Sequence, residues 1–168
     1  DFLVALGTHP AMPEEAIMKL VGATRDQLGK HPVFNHEFKN PAELVQVGTL
    51  TEEDVAGISD GLIRISVPVE VNRRVNEYDQ LILVGPVFPH EVVGFSGGNK
   101  YLFPGVAGQK IIDMFHWLGA LITNVRIIGT AETPVRKVVE RAAAMVKTPK
   151  LACCMVVDHG ELVGDGSH

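Results

Sequence analysis

The side chains in this chain best placed to do chemistry are three imidazoles and one amine. His9 follows an apolar run, His90 comes directly after Pro86 and Pro89, and Lys100 closes the glycine-rich loop Gly94–Lys100, GFSGGNK. His116 sits in a helical pattern among Met114, Phe115, Trp117 and Leu118. Histidine titrates at about 6.5, so His9 and His90 can each take up and return a proton. At neighbouring strand ends they would serve as acid and base on opposite faces of a substrate. Lys100 offers a positive charge or, once deprotonated, a nucleophile. Gly94, Gly97 and Gly98 admit positive φ and leave N–H groups open, which forms an anion nest to which Ser96 adds a hydroxyl. The loop therefore predicts phosphate or nucleotide binding, with a plain surface turn as the competing reading. It is neither a Walker A loop nor a dinucleotide fingerprint, because the GK[ST] ending and the glycine spacing are absent.

His116 has no second histidine or carboxylate at i+3 or i+4, which is poor zinc geometry. Its plain reading is a satisfied core histidine; its chemical reading is a ligand to a metal whose other donors come from a cofactor. His31 and His36 lie in a polar loop, His159 in a turn, and His168 at the terminus. Asn72 and Arg73 can bind an anion or simply form a solvated connection.

These groups need a scaffold, and the pattern predicts a mostly parallel α/β sheet flanked by helices, a Rossmann-like open sheet. Buried strands are expected at Phe2–Gly7, Gln80–Val84 and Leu151–Val157, with further strands at Leu44–Thr49, Leu62–Val69 and Val125–Gly129. Helices are expected at Met12–Leu20, Thr24–Leu28, after Thr51, at Lys110–Leu121, and from Thr133 to about Lys147, the last with Pro134 at its first position. A turn at Asp158–Glu161 and a hairpin return at Leu162–Val163 would close the chain. In parallel sheets ligands gather at carboxyl strand ends, where His9, His90 and the glycine loop fall.

The bulk properties narrow the field. The chain has 168 residues, enough for one domain over residues 1–168 with a real core. Its formal charge is −5, from 15 basic and 20 acidic residues, and without a basic run nucleic acid is not an expected partner. Apolar residues make up 46% and charged ones 21%, ordinary for a globular protein. Cys153 and Cys154 are adjacent in an apolar run and read as core residues. With no apolar stretch of about 18 residues and no visible leader, a membrane span is not expected and the cytoplasm is the default. The opening inside an apolar run suggests a piece of a longer protein.

Four stretches resemble the amino-terminal domain of the nickel-pincer lactate racemase family: GTH at Gly7–His9, NH at Asn35-His36, VNR at Val71–Arg73, and PHEVVGFSGGNKYLFPGVAG at Pro89–Gly108. The closing CCMVVDHGELVG is similar to the family's end as well. The resemblance implies a nicotinate-derived nickel-pincer mononucleotide (a pyridinium thioamide/thiocarboxylate nucleotide), attached covalently through Lys100. It implies that His116 completes the nickel coordination and that His9 and His90 are the paired acid/base groups. Gly94, Ser96, Gly97 and Gly98 would lie near the cofactor phosphate. The implied reaction is racemisation or epimerisation of a 2-hydroxy acid by hydride transfer to the cofactor, with lactate one option among hydroxy and sugar acids. The family often has arginine where this chain has Pro10. Its substrate-carboxylate groups lie upstream and in a carboxyl-terminal domain, so this stretch alone is expected to be inactive. The alternative reading, from a different class, is a non-catalytic nucleotide- or phosphate-binding module built on GFSGGNK.

Overall fold

The structure is a computed structural model and describes residues 1–156. The expected turn at Asp158–Glu161 and the hairpin at Leu162–Val163 lie outside the described residues. The fold is mixed α/β, with parallel strand pairs flanked by helices, as the sequence predicts. The first pair joins β1 (Phe2–Val4) to β2 (Val33–Asn35) in parallel. Between them lie α1 (Glu14–Val21) and α2 (Arg25–Leu28). Gly22 stops α1 in the left-handed region at φ 64°, and Thr24 caps α2 through a reciprocal box with Gln27.

Next, β3 (Leu44–Leu50) pairs antiparallel with β4 (Val67–Asn72), and α3 (Glu52–Ile58) fills the connection. The strand expected at Leu62–Val69 thus begins later, at Val67. The second parallel pair is β5 (Leu81–Val87) with β8 (Lys150–Val156), running from Leu81↔Lys150 to Val87↔Val156. A small hairpin, β6 (Pro89–His90) with β7 (Gly94–Phe95), follows β5 directly. A single 3₁₀ turn, Gly98–Tyr101, then leads towards α4 (Gln109–Ile122). Among the described residues the strands form four two-stranded sheets.

The core lies between α4, β4 and α6 (Pro134–Ala143), where Phe103, Phe115, Leu50, Ile63, Ile111 and Ile112 are enclosed. Each such side chain contributes about 1.5–3 kcal/mol of burial free energy. The helix α6 starts as its sequence predicts, with Thr133 capping and Pro134 at the first position.

Three expectations are corrected. Residues Asn124–Ile127 form a short helix, α5, where a strand was expected at Val125–Gly129. A short apolar run fits either state, and here only Ile127 reaches the core while Val125 stays 91% exposed. The strand β8 is exposed rather than buried, because it pairs only with β5 among the described residues. Cys153 and Cys154 are therefore exposed free thiols, not core residues. The supposed polar loop at His31–Pro41 contains β2, and His36 just beyond it is buried. No helix among the described residues is long and apolar enough to cross a membrane.

Candidate functional site

Proline and glycine shape the segment that follows β5. Its Ser96 is buried, donates to Pro86 O at 2.8 Å and accepts from Phe88 N–H at 2.9 Å. The hydroxyl predicted to face an anion is instead spent closing the corner between β5 and the β6–β7 hairpin. Gly94 stands at φ 93°, and a Cβ there would lie 1.9 Å from Thr130 O. At Gly97, φ is 87° and a Cβ would meet Val87 at 2.5 Å. Two of the three loop glycines thus serve close packing. Only Gly98, at φ 57°, has open space above it, and its N–H donates to Cys154 Sγ at 3.3 Å. The loop is a tightly braced corner more than an open nest.

That corner presents His90 and Lys100. Pairing of His90 with Gly94 fixes the hairpin, and Val92 N–H donates to His90 Nδ1 at 3.1 Å. In the neutral ring the proton therefore sits on Nε2. Lys100 lies in the 3₁₀ turn, whose next residue, Tyr101, crosses Gly85 and donates its hydroxyl to Pro86 O at 2.8 Å. Among the described residues no carboxylate lies within ion-pair distance of the Lys100 amine.

His116 arrives from α4. The next turn of that helix carries Gly119, where a Cβ would sit 3.2 Å from Val92 Cγ1, so the helix runs against the His90 hairpin. His116 lies on the exposed side, beside Trp117, and is not a core residue. Its Nδ1 bonds Ile112 O at 3.0 Å, which makes Nδ1 the protonated nitrogen and leaves the Nε2 lone pair open. Metal-binding histidines are commonly oriented in this way.

The three groups share one electrostatic neighbourhood. Burial, then the Lys100 charge, hold the His90 imidazole below its ordinary value; Arg136 and His116 add to this and Glu91 opposes it. Burial also lowers the Lys100 amine from the usual lysine range, with Glu91 opposing and Arg136 reinforcing. Arg136, in the first turn of α6 after the Thr133 cap, is not among the candidates the sequence singles out; its place beside the cap is the one local signal.

His9 is not brought into that cluster. It is exposed and lines an open cleft with Pro10, Ala11, His36, Glu37 and Phe38, a cleft lined by none of His90, Lys100 and His116. The link is through the backbone: Gly7 N–H donates to Gly105 O at 2.8 Å, a few residues beyond Lys100.

The NH and VNR stretches form a buried staple. His36 Nε2 donates to Ala107 O at 2.9 Å, and Asn72 Nδ2 donates to His36 Nδ1 at 3.4 Å. Burial lowers the His36 pKa. Asn72 N–H also reaches Val106 O, and Gly108 N–H reaches Glu70 O, so β4 and His36 together fix the link between Lys100 and α4. Arg73 sits in ion pairs with Glu43 and Glu77 rather than facing a ligand.

The model of the lactate racemase N-terminal domain matches residues 1–127. The chain belongs to that family. Lactate racemases from Thermoanaerobacterium thermosaccharolyticum and Lactiplantibacillus plantarum are 28% and 29% identical to it over 114 residues. Those alignments cover 68% of this chain and 23% of each relative, so the chain spans under a quarter of their length. A solved structure of a Thermotoga maritima protein superposes with TM-score 0.84 at 36% identity, covering 95% of this chain and 39% of that one. The lactate racemase apoprotein of T. thermosaccharolyticum superposes with TM-score 0.68 at 22% identity, over 93% of this chain and 34% of that one, a likeness of fold.

Proposed function

We propose that this domain holds the cofactor of a 2-hydroxy-acid racemase or epimerase and supplies its proton-transfer groups. What supports the reading is the placement of His90 and Lys100 on one braced corner with α4, which bears His116, packed against the hairpin, and a Lys100 amine without a carboxylate partner among the described residues.

The residues fit a nickel-pincer mononucleotide. Among the described residues no three His, Cys, Asp or Glu side chains gather to hold a metal unaided, and a lone His116 suits a cofactor that brings its own donors. His116 Nε2 would be the protein's donor to nickel, and Lys100 Nζ the point of covalent attachment. When bound, the cofactor would supply a reversible hydride acceptor. The protein then has to position the substrate and move protons.

His90 is suited to the second task. Its pKa, held low by burial and by Lys100, keeps it neutral near pH 7, with Nε2–H able to donate. To act as a base at Nε2, the ring must carry its proton on Nδ1 instead. Glu91 Oε2, 3.7 Å from Nδ1, is the acceptor at hand for that state, replacing the Val92 N–H contact. His9 is proposed as the opposing proton carrier, tied to the segment after Lys100 through the Gly7–Gly105 hydrogen bond. The substrate is a 2-hydroxy acid, with lactate the first to test because the curated relatives are named for it.

Intact-mass spectrometry of protein made together with the cofactor-synthesis enzymes tests the reading. The wild-type chain gains the cofactor mass and nickel. Lys100→Ala gains no adduct, and His116→Ala keeps the organic mass but retains little nickel. An adduct on Lys100→Ala would refute the assignment.

A further inference from the structure

The parallel pair β5–β8 has two unlike faces. Residues in register across parallel strands point the same way, and successive residues alternate between faces. One face carries Leu83, which joins the core, and Gly85, which Tyr101 crosses. It also carries Val87, which abuts Gly97, and Cys154, which receives the Gly98 N–H. This face braces the glycine corner. The opposite face carries Ile82, Val84 and Pro86 from β5 and their register partners Leu151, Cys153 and Met155 from β8. None of the six is charged, and all are exposed. Ile82, Val84, Leu151 and Met155 are between 56% and 71% exposed.

Such a face is unfinished. Parallel strands are ordinarily covered on both sides, because their crossovers lay helices there. The crossover from β5 to β8 runs through α4, α5 and α6, and it packs on the Leu83 side. Among the described residues nothing covers the other side. The size of the gap decides what fits it. Two seven-residue strands side by side make a strip of about 20 Å by 10 Å. An α-helix with its side chains is about 10 Å across, and about 13 residues of it span 20 Å. The strip offers roughly 200 Å², against about 800 Å² per partner in a stable complex of separate chains. A second copy therefore gains too little here to stay bound. A helix on the same polypeptide gains enough, because its tether keeps it at a high local concentration. Chain length points the same way. The matched family model describes an amino-terminal domain, and this chain covers 39% of the T. maritima chain on which it superposes.

We propose that the face formed by Ile82, Val84, Pro86, Leu151, Cys153 and Met155 seats one amphipathic helix, supplied by the part of the same polypeptide that follows residue 168. The helix presents an uncharged apolar stripe at i, i+3, i+4 and i+7 spacing. By holding β5 against β8 from outside, it steadies the strands whose other face braces the glycine corner. The inference stands apart from the cofactor reading, since it concerns the reverse side of the strand pair.

Cys153 is the reporter, central on the strip, with Met155 beside it. Iodoacetamide labelling of the polypeptide at its native length, read by tandem mass spectrometry, compares Cys153 in the folded protein with Cys153 in urea. With the helix seated, folding slows Cys153 labelling by at least about tenfold, at every protein concentration. Labelling as fast as in urea overturns the proposal. Protection that fades on dilution marks a second copy and overturns it too. Photo-methionine incorporated in place of methionine then identifies the cover. Met155 adducts should fall beyond residue 168 on the same polypeptide, at positions three or four apart. Adducts within residues 1–168, between two copies, or at the alternate residues of a strand overturn the assignment.

Discussion

Gly94→Ala separates the two roles a glycine loop can have, ligand approach or packing. The new Cβ would sit 1.9 Å from Thr130 O and 3.1 Å from Thr130 C, whereas real Cβ atoms keep at least 3.0 Å. Either the hairpin or the Thr130 backbone must therefore shift by more than 1 Å, since 3.0 − 1.9 = 1.1 Å. Thr130 resists, being held by its N–H to Ile127 O at 2.9 Å, and the Gly129 N–H to Gly94 O bond at 3.0 Å would be lost. A left-handed conformation costs an alanine about 1–2 kcal/mol. Overpacking adds about 1–3 kcal/mol, and the lost hydrogen bond about 0.5–1.5 kcal/mol. The sum is about 2.5–6.5 kcal/mol, a fall in Tm of roughly 5–26 °C for a chain of this size. Gly98→Ala is the control: φ is 57° and no atom lies within 4 Å of the added methyl, so only the backbone cost of about 1–2 kcal/mol applies. The loss of unfolded-state entropy is common to both variants and cancels in their difference. Thermal melts of the two variants, with no ligand present, give the comparison. Equal melting temperatures, or a less stable Gly98→Ala, would refute the assignment of Gly94 to packing.

Two further outcomes concern groups that brace the cluster. His36 keeps both its hydrogen bonds only as the neutral Nε2–H tautomer, and its folded pKa is lowered by burial. The unfolded chain therefore binds the extra proton first, so stability is present above about pH 6.5 and is lost as pH falls through that value towards the folded pKa. Melts of His36→Gln across the same range should be lower throughout but slope less steeply with pH, although His90 still contributes the same sign; an undiminished slope would count against His36. Thr133→Ala removes both the cap on Arg136 N–H and the bond to Val93 O and should cost about 1–2 kcal/mol in denaturant titrations, with Thr133→Ser restoring most of it.

Local rules made much of the scaffold legible. Thr51 and Thr133 each cap a helix as their spacing predicts, Gly22 ends α1, and Pro134 opens α6. These features depend on a few consecutive residues. What stayed hidden depends on distant ones. Nothing around Ser96 reveals that its hydroxyl belongs to Pro86 O, and nothing around Gly94 reveals Thr130 O above it. The exposure of Cys153 and Cys154 is set by what pairs with β8, which an apolar run cannot report. His36 looked like a loop histidine because its partners, Asn72 and Ala107, are remote in sequence. For the candidate site, His90, Lys100 and His116 stand out in the sequence by residue type and context alone. The bond from Arg136 to Phe95 O is not legible there, because a charged residue in an amphipathic helix ordinarily faces water.

Residues 1–127 contain His9, His90, Lys100 and His116. The groups that fasten the glycine corner come later: Thr130 O, Thr133, Arg136 and Glu140 from the α5–α6 region, and Cys154 from β8. On a ribosome the chemical groups therefore emerge before their clamps. The corner cannot settle until Cys154 has cleared the exit tunnel and β8 has docked along β5, a long-range pairing that forms late. The corner around Lys100 thus takes its folded form only as synthesis of this stretch ends.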